Sequence, residues 1–357
     1  MSVPFNTQLR YVRSLRTAGL KPQHIFAHAP CPKHHVLSGH GKLVAALLAK
    51  GATAHRIRAV LHDLDSSHLA KESYPAVVRP FQRYVPPYVE AESAICVKVS
   101  DNLDEPSKTL FVKLPRKRLT PASLTKLMTA IVALDIAQKF GKSLTDVITI
   151  DKSDKVGGSG LNVDAGDQLS FQDVMANLLI PSSNITANAV ARTFGEMLIE
   201  YEGSRQGSAY ERFIAEMNVK AGELGMADTQ FKNPSGQPAR GQVTTVTDIA
   251  VLMATAMGYE GITKVWGKAS HVMKIMGPEP REKKINSSVK TINDYDLIGA
   301  KTGTLLPGYY NAAILSEAPK GNRIITVILR APTAISLYGD LRAIVDAVKR
   351  GYEWLET

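Results

Sequence analysis

The chain has 357 residues, of which 44% are hydrophobic and 21% charged, with a net charge of +10. That balance excludes wholesale disorder, and the length allows two or three domains, or one large domain with an extension. Two cysteines, Cys31 and Cys96, cannot build a disulfide scaffold, and no apolar run approaches the ~18 residues needed to cross a bilayer.

The first stretch stands apart. The opening MSVPFNTQLRYVRSLRTAGL lacks an apolar core, so no secretory signal is expected. Residues 1–85 hold five Lys and seven Arg against Asp63, Asp65 and Glu72, a net charge of +9, together with eight of the nine histidines. The composition breaks near Tyr84-Val85-Pro86-Pro87, which predicts a basic, His-rich N-terminal extension over 1–87 and a main body over 88–357. Within the extension, 41–62 reads as two short helices broken at Gly51. The preferred reading is a solvated helical appendage. The alternative is binding to a polyanion (nucleic acid, anionic lipid or an acidic wall polymer) through residues 1–85, with Arg56 and Arg58 on the second helix. Cys31-Pro32-Lys33-His34 and the His24/His28 pair lack a second cysteine pair, so no structural zinc and no other metal is expected.

In the body, Ala94–Val99 and Thr109–Leu114 read as strands joined by a polar turn with Asp101, Asn102 and Pro106. Cys96 alternates with its neighbours there and is expected to be buried. SLTKLMTAIVALDIAQ, 123–138, predicts a strongly apolar helix after Pro121. Further helices are expected at 170–179, 185–200, 208–224 and 245–258. Strands follow at 297–302, 309–316 and 322–330, then a helix at 334–355. Strands come early and late with helices between, which favours an α+β fold with one antiparallel sheet drawn from both ends of the body and covered by helices.

Three short signals occur in order: Ser123-Leu124-Thr125-Lys126, Ser182-Ser183-Asn184 and Lys301-Thr302-Gly303-Thr304. On a helix, residues i and i+3 share a face, so the Lys126 amine can sit beside the Ser123 hydroxyl. A serine needs a base to become a nucleophile, and a desolvated lysine can be one. Ser182 and Asn184 would supply a hydroxyl and an amide from across a cleft. Lys301, Thr302 and Thr304 can hold a carboxylate, and Gly303 leaves an edge strand unobstructed. Each signal alone is weak. A second S-x-x-K string, Ser287-Ser288-Val289-Lys290, lies in a polar stretch with no apolar helix behind it and reads as chance. The combination, in order and in the required settings, is what points to serine acyl transfer.

With these motifs the sequence resembles the penicillin-recognising serine hydrolases and, more narrowly, the D-alanyl-D-alanine carboxypeptidases, over about residues 88–355. GELGMADTQFKNPSG (222–236), TTVTDIAVLM (244–253) and GAKTGTLLPGYY (299–310) extend the likeness. Where the family tends to have His-Gly-Leu, this chain has Ser235-Gly236-Gln237. The resemblance implies a β-lactamase/DD-peptidase-like fold with an all-helical subdomain, in the periplasm or cell wall. Ser123 would be the acylated nucleophile, Lys126 its general base and Ser182 a proton relay. Asn184 would bind the substrate carbonyl, while Lys301, Thr302, Gly303 and Thr304 line the pocket. The N–H groups of Ser123 and Thr304 would form the oxyanion hole. The implied substrates are peptidoglycan stem peptides ending in D-Ala-D-Ala, with β-lactams as inhibitors and no cofactor. Carboxypeptidase and endopeptidase action both stay open. So do a β-lactamase or esterase of the same fold, and a non-catalytic wall-binding or phage-associated protein with a vestigial pocket. A β-lactamase would need a carboxylate such as Glu196 or Glu200 near the site.

Overall fold

The computed structural model describes residues 87–99, 108–203, 207–290, 296–305, 308–318 and 321–351. The basic extension, its 41–62 helix pair, the Cys31/His34 group and the turn at Asp101, Asn102 and Pro106 lie outside the described residues. The chain divides into two units, Val89–Val345 and a second made of Met1–Tyr88 with Asp346–Thr357. The first unit holds the sheet, the helical block and all three motifs.

Alternating or unbroken apolar runs at both ends of this unit pair into one five-stranded sheet. Its strands are β1 (Ser93–Val99), β2 (Lys108–Lys113), β7 (Leu297–Leu305), β8 (Tyr309–Ala318) and β9 (Asn322–Ala331), in the order β2-β1-β9-β8-β7. Every neighbouring pair is antiparallel. The early strand β1 therefore sits beside the last strand, β9, with Ala94 opposite Ile328 and Cys96 opposite Thr326. β8 and β9 each carry six consecutive buried residues, the pattern of strands covered on both faces. Cys96 is fully buried. β7 is an edge strand, and it runs past the expected end at 302, so Lys301–Thr304 lies inside the strand rather than at its end.

The helical block lies between. α1 (Thr125–Lys139) is buried on nearly every side, because its apolar residues run all round it and its exposed polar residues, Gln138 and Lys139, stand at its C-terminal end. It does not begin at Ser123 as expected. A 3₁₀ turn, Ala122–Leu124, precedes it and carries the serine. α2 (Phe171–Leu179), α3 (Asn184–Glu202) and α4 (Ala209–Glu223) pack around it, with Phe171 against Phe194 at 5.0 Å between ring centroids. Ser170, Ser183 and Ser208 cap these three helices by accepting from backbone N–H groups of the first turn. α5 (Val246–Ala256), capped by Thr245, lies on β1, β8 and β9. Leu119 and Thr244 exchange backbone hydrogen bonds of 2.8 and 2.7 Å, tying the entry of the serine turn to the entry of α5. A short helix, α6 (Glu260–Thr263), follows, and α7 (Ala334–Gly351) closes the described chain.

Two small sheets lie outside the expected elements. β3 (Val147–Thr149) pairs with β4 (Gln168–Ser170), and β5 (Ser270–Ile275) pairs with β6 (Arg281–Asn286). In the second pair only Met273, Ile275 and Ile285 are buried, so the charged REKKIN segment hides its strand character. Side-chain contacts fix the hairpin instead: Arg281 grips Asp167 at 2.9 and 2.7 Å, and His271 meets Asp173 at 2.6 Å. Among the described residues no helix is long and apolar enough to cross a membrane.

Candidate active site

The site forms where the 3₁₀ turn, the α2–α3 loop and the β7 edge converge. Pro121 opens the turn, and Ala122 takes φ 50°, a left-handed conformation costly for a residue with a Cβ. Two glycines hold this bend from opposite sides. A Cβ on Gly236, itself at φ 84°, would lie 1.9 Å from the Ala122 carbonyl oxygen. One on Gly303 would lie 2.9 Å from Pro121 O and 3.0 Å from Ser123 N. The close approach of β7 and of the 235–237 segment to Ser123 therefore depends on bare backbone at both positions.

Lys126 is fully buried, and its Nζ has three neighbours: Ser123 Oγ at 3.0 Å, Asn184 Oδ1 at 2.8 Å and the Ser235 carbonyl oxygen at 2.6 Å. Burial, with the nearby Lys301 ammonium as a second cause, holds this amine well below the ordinary lysine value. A neutral amine has two hydrogens and one lone pair. As an ammonium the group has one hydrogen for each of these three; once it is neutral, the amide oxygen and the carbonyl, which can only accept, keep the two hydrogens and the lone pair is left for the Ser123 hydroxyl. The Asn184 amide is fixed in the orientation this needs, since its Nδ2 donates to Gly157 O at 3.0 Å. Gln237 Nε2 donates to the same carbonyl at 3.2 Å, linking the two loops.

Ser182 also adopts a left-handed backbone, φ 68°. Lys301 is fully buried and donates to Ser182 Oγ at 2.8 Å and to Thr302 O at 2.9 Å. Burial brings its pKa down to about 7. Ser183, the middle residue of its motif, does not face the hollow. It caps α3 and donates to Gly160 O at 2.7 Å, drawing the 157–160 loop over the site. The structure thus gathers Ser123, Lys126, Ser182, Asn184 and Lys301 around one hollow. Thr302 and Gly303 border it, and Thr304 is exposed one residue farther along β7.

Several groups here carry no motif. Asn311 is fully buried in β8, donating to Thr120 O and Pro121 O at 2.9 and 3.1 Å and accepting from Arg330 N at 2.8 Å. It bolts the serine turn to the sheet. A lone Asn inside the apolar run YYNAAIL was the one signal for it, since a buried amide must have partners. Thr129 steadies the Ser235 segment by donating to Pro234 O at 2.7 Å. The second S-x-x-K string forms no Ser–Lys pair: Lys290 is exposed and its backbone N–H goes to Tyr338 OH. Ser288, however, meets the Thr302 hydroxyl at 2.9 Å. Among the described residues no cluster of three or more His, Cys, Asp or Glu side chains is placed to hold a metal ion.

The model of the peptidase family described as D-alanyl-D-alanine carboxypeptidase matches residues 81–333. This chain belongs to that family. It is 28% identical over 271 residues to the D-alanyl-D-alanine carboxypeptidase DacF of Bacillus subtilis, covering 74% of this chain and 63% of the relative. It is 30% identical over 152 residues to a D-alanyl-D-alanine endopeptidase of Pseudomonas aeruginosa, covering 43% of this chain and 44% of the relative. The chain thus spans less than two thirds of the length of either curated relative. The Streptomyces K15 DD-transpeptidase has a similar fold, with a TM-score of 0.66 at 22% identity over 75% of this chain and 98% of that one. The fold shared with that enzyme is an antiparallel sheet with a helical block, the β-lactamase/DD-peptidase-like arrangement.

Proposed function

We propose that this chain is a serine-type D-Ala-D-Ala carboxypeptidase acting on peptidoglycan stem peptides through an acyl-enzyme on Ser123. Lys126 takes the Ser123 proton as Oγ attacks the carbonyl carbon of the penultimate D-alanine. The N–H groups of Ser123 and Thr304 receive the oxyanion. On collapse the C–N bond breaks, and the proton that Lys126 took passes through Ser182, held by the Lys301 ammonium, to the leaving amine, which leaves Lys126 neutral again. The product is an ester on Ser123 and free D-alanine. Water then attacks the ester, Lys126 accepts its proton, and Ser123 leaves with a proton as the shortened peptide is freed. Asn184 binds the substrate carbonyl, while Thr302 and Thr304 meet the terminal carboxylate. The same acyl transfer on a cross-link, with a longer leaving amine, is endopeptidase action. A β-lactam would stop at the ester stage. The machinery is assigned to the 88–357 body, with 1–87 a separate extension.

One observation carries this reading: the Lys126 amine is fully buried and lies 3.0 Å from Ser123 Oγ, held there by Asn184 Oδ1 and Ser235 O, so that when neutral it can turn its lone pair only to Ser123. Among the described residues neither Glu196 nor Glu200 has a side-chain contact with Ser123, Lys126 or Asn184 that would favour the β-lactamase alternative. Glu196 lies twelve residues along α3 from Asn184, roughly 18 Å away, and is ion-paired to Arg192. Intact mass after incubation with benzylpenicillin, wild type beside Ser123→Ala, tests the proposal together with D-alanine release from a stem pentapeptide. A covalent adduct and D-alanine release in the wild type alone are expected. An adduct that survives in Ser123→Ala, or none in the wild type, would overturn it.

A further inference from the structure

We infer that Ser288 is a positioning residue for a terminal carboxylate, acting through the hydroxyl of Thr302; the inference rests on the D-Ala-D-Ala reading above. Ser288 belongs to the link after β6. Backbone bonds pin that link: Ser287 N to Ala269 O at 2.8 Å, Ser288 N to Ile180 O at 3.0 Å and Lys290 N to Tyr338 OH at 3.1 Å. The Ile180 contact joins it to the residues just before Ser182. Held there, the half-buried Ser288 presents Oγ to Thr302 Oγ1 at 2.9 Å.

Two hydroxyls bring two hydrogens, and their mutual bond uses one. With the groove empty, either can donate to the other. A carboxylate removes the choice, because it only accepts. The Thr302 hydrogen turns to the carboxylate, and Ser288 must then donate to Thr302. The chain Ser288→Thr302→carboxylate runs one way, and a hydroxyl that accepts a hydrogen bond gives a stronger one. The neighbouring cation leaves room for this contribution. Lys301 spends two of its hydrogens on Ser182 Oγ and Thr302 O, and its pKa of about 7 leaves it only part-charged at neutral pH. Recognition of the carboxylate therefore leans on the hydroxyl pair. Ser287 has a different use: its Oγ accepts from Val289 N at 3.1 Å within the link itself.

The test uses the full chain and two acetylated stem peptides that differ only at the end, one a free carboxylate and one a carboxamide. For each, kcat/KM for D-alanine or D-alaninamide release is measured in wild type, Ser288→Ala and Ser288→Thr, with thermal unfolding as the check on folding. In Ser288→Ala the preference for the carboxylate peptide should fall about fivefold, the cost of one hydrogen bond, through a raised KM for that peptide. Ser288→Thr, which keeps a hydroxyl, should restore it. Equal losses on both peptides would show that the hydroxyl serves structure alone, and no loss on either that it serves nothing; either overturns the assignment to Ser288 while the enzyme reading stands. A wild-type protein that releases product from neither peptide overturns the enzyme reading and this inference with it.

Discussion

The two walls of the cleft each bury one lysine, and their surroundings assign them opposite duties. On the helical wall, Lys126 meets two groups that can only accept, Asn184 Oδ1 and Ser235 O, and a hydroxyl. On the sheet wall, Lys301 meets one carbonyl, Thr302 O, and the Ser182 hydroxyl. The first set absorbs both hydrogens of a neutral amine and leaves a lone pair aimed at a serine. The second leaves a hydrogen over when the amine is charged. Desolvation lowers both pKa values, but the Lys301 ammonium pushes Lys126 down further. Burial and the neighbouring charge make Lys126 the base, and its acceptors aim the lone pair at Ser123; burial alone acts on Lys301, which stays the donor.

The sharpest way to break this contrast is to replace each lysine by glutamine, which donates but is no base. Lys126→Gln should slow acylation by penicillin by about 10³-fold, the usual worth of a general base. Lys301→Gln keeps two N–H donors and should cost about tenfold. Equal losses, read from stopped-flow acylation rates, would show that the walls do not differ in kind. A second perturbation acts on the backbone beneath the base. Gly236→Ala places a Cβ against the Ala122 carbonyl at φ 84°, which should cost at least about 2 kcal/mol in urea unfolding. It should also lower acylation by more than tenfold, because the Ser235 carbonyl that orients Lys126 shifts with it. Gly303→Ala meets looser contacts, near 3.0 Å, and should cost less.

Much of this arrangement could be read from the chain, and what escaped has physical reasons. The apolar 123–138 run, the three motifs and the late strands announce themselves through periodicity and spacing, and the elements observed fall within a few residues of those expected. The β5–β6 hairpin does not, since its strands bury only Met273, Ile275 and Ile285 and are held by ion pairs from distant residues. The serine turn is 3₁₀ and not α because tertiary contacts with Gly236 and Gly303 set its backbone. The Ser235 carbonyl on Lys126 is invisible in any motif, since a backbone oxygen has no residue type. Ser288 sits in a chance copy of S-x-x-K; the copy makes no Ser–Lys pair, yet the fold brings its second serine to Thr302.

The contrast between the lysines also fixes the pH dependence. Lys301 can hold a substrate carboxylate only while protonated, and its pKa is about 7. For a carboxylate-ended peptide, kcat/KM should therefore fall above pH 7, by about tenfold at pH 8 if the charge is essential. That limb should vanish in Lys301→Gln. The acid limb belongs to Lys126, which must be neutral to act. Removing the Lys301 charge relieves the repulsion that helps to keep Lys126 deprotonated, so the acid limb should move to higher pH in the variant. A variant profile with both limbs in place would mean that the two amines do not feel each other.

The smallest effect expected is on stability. In the unfolded chain Lys301 keeps its proton up to about pH 10.4, whereas in the folded protein it loses it near 7. Between those values the unfolded state binds more protons, so this group makes stability rise with pH. Its contribution is fully present above the unfolded pKa and is lost progressively as pH falls from there through 7. Lys301→Met has no such slope. The variant should therefore melt higher than wild type at pH 7, and the gap should narrow by several degrees by pH 9.5. A gap that stays constant with pH, measured by calorimetry under both conditions, would mean that Lys301 is charged in the folded protein across this range, and the donor on the sheet wall would then be a permanent cation.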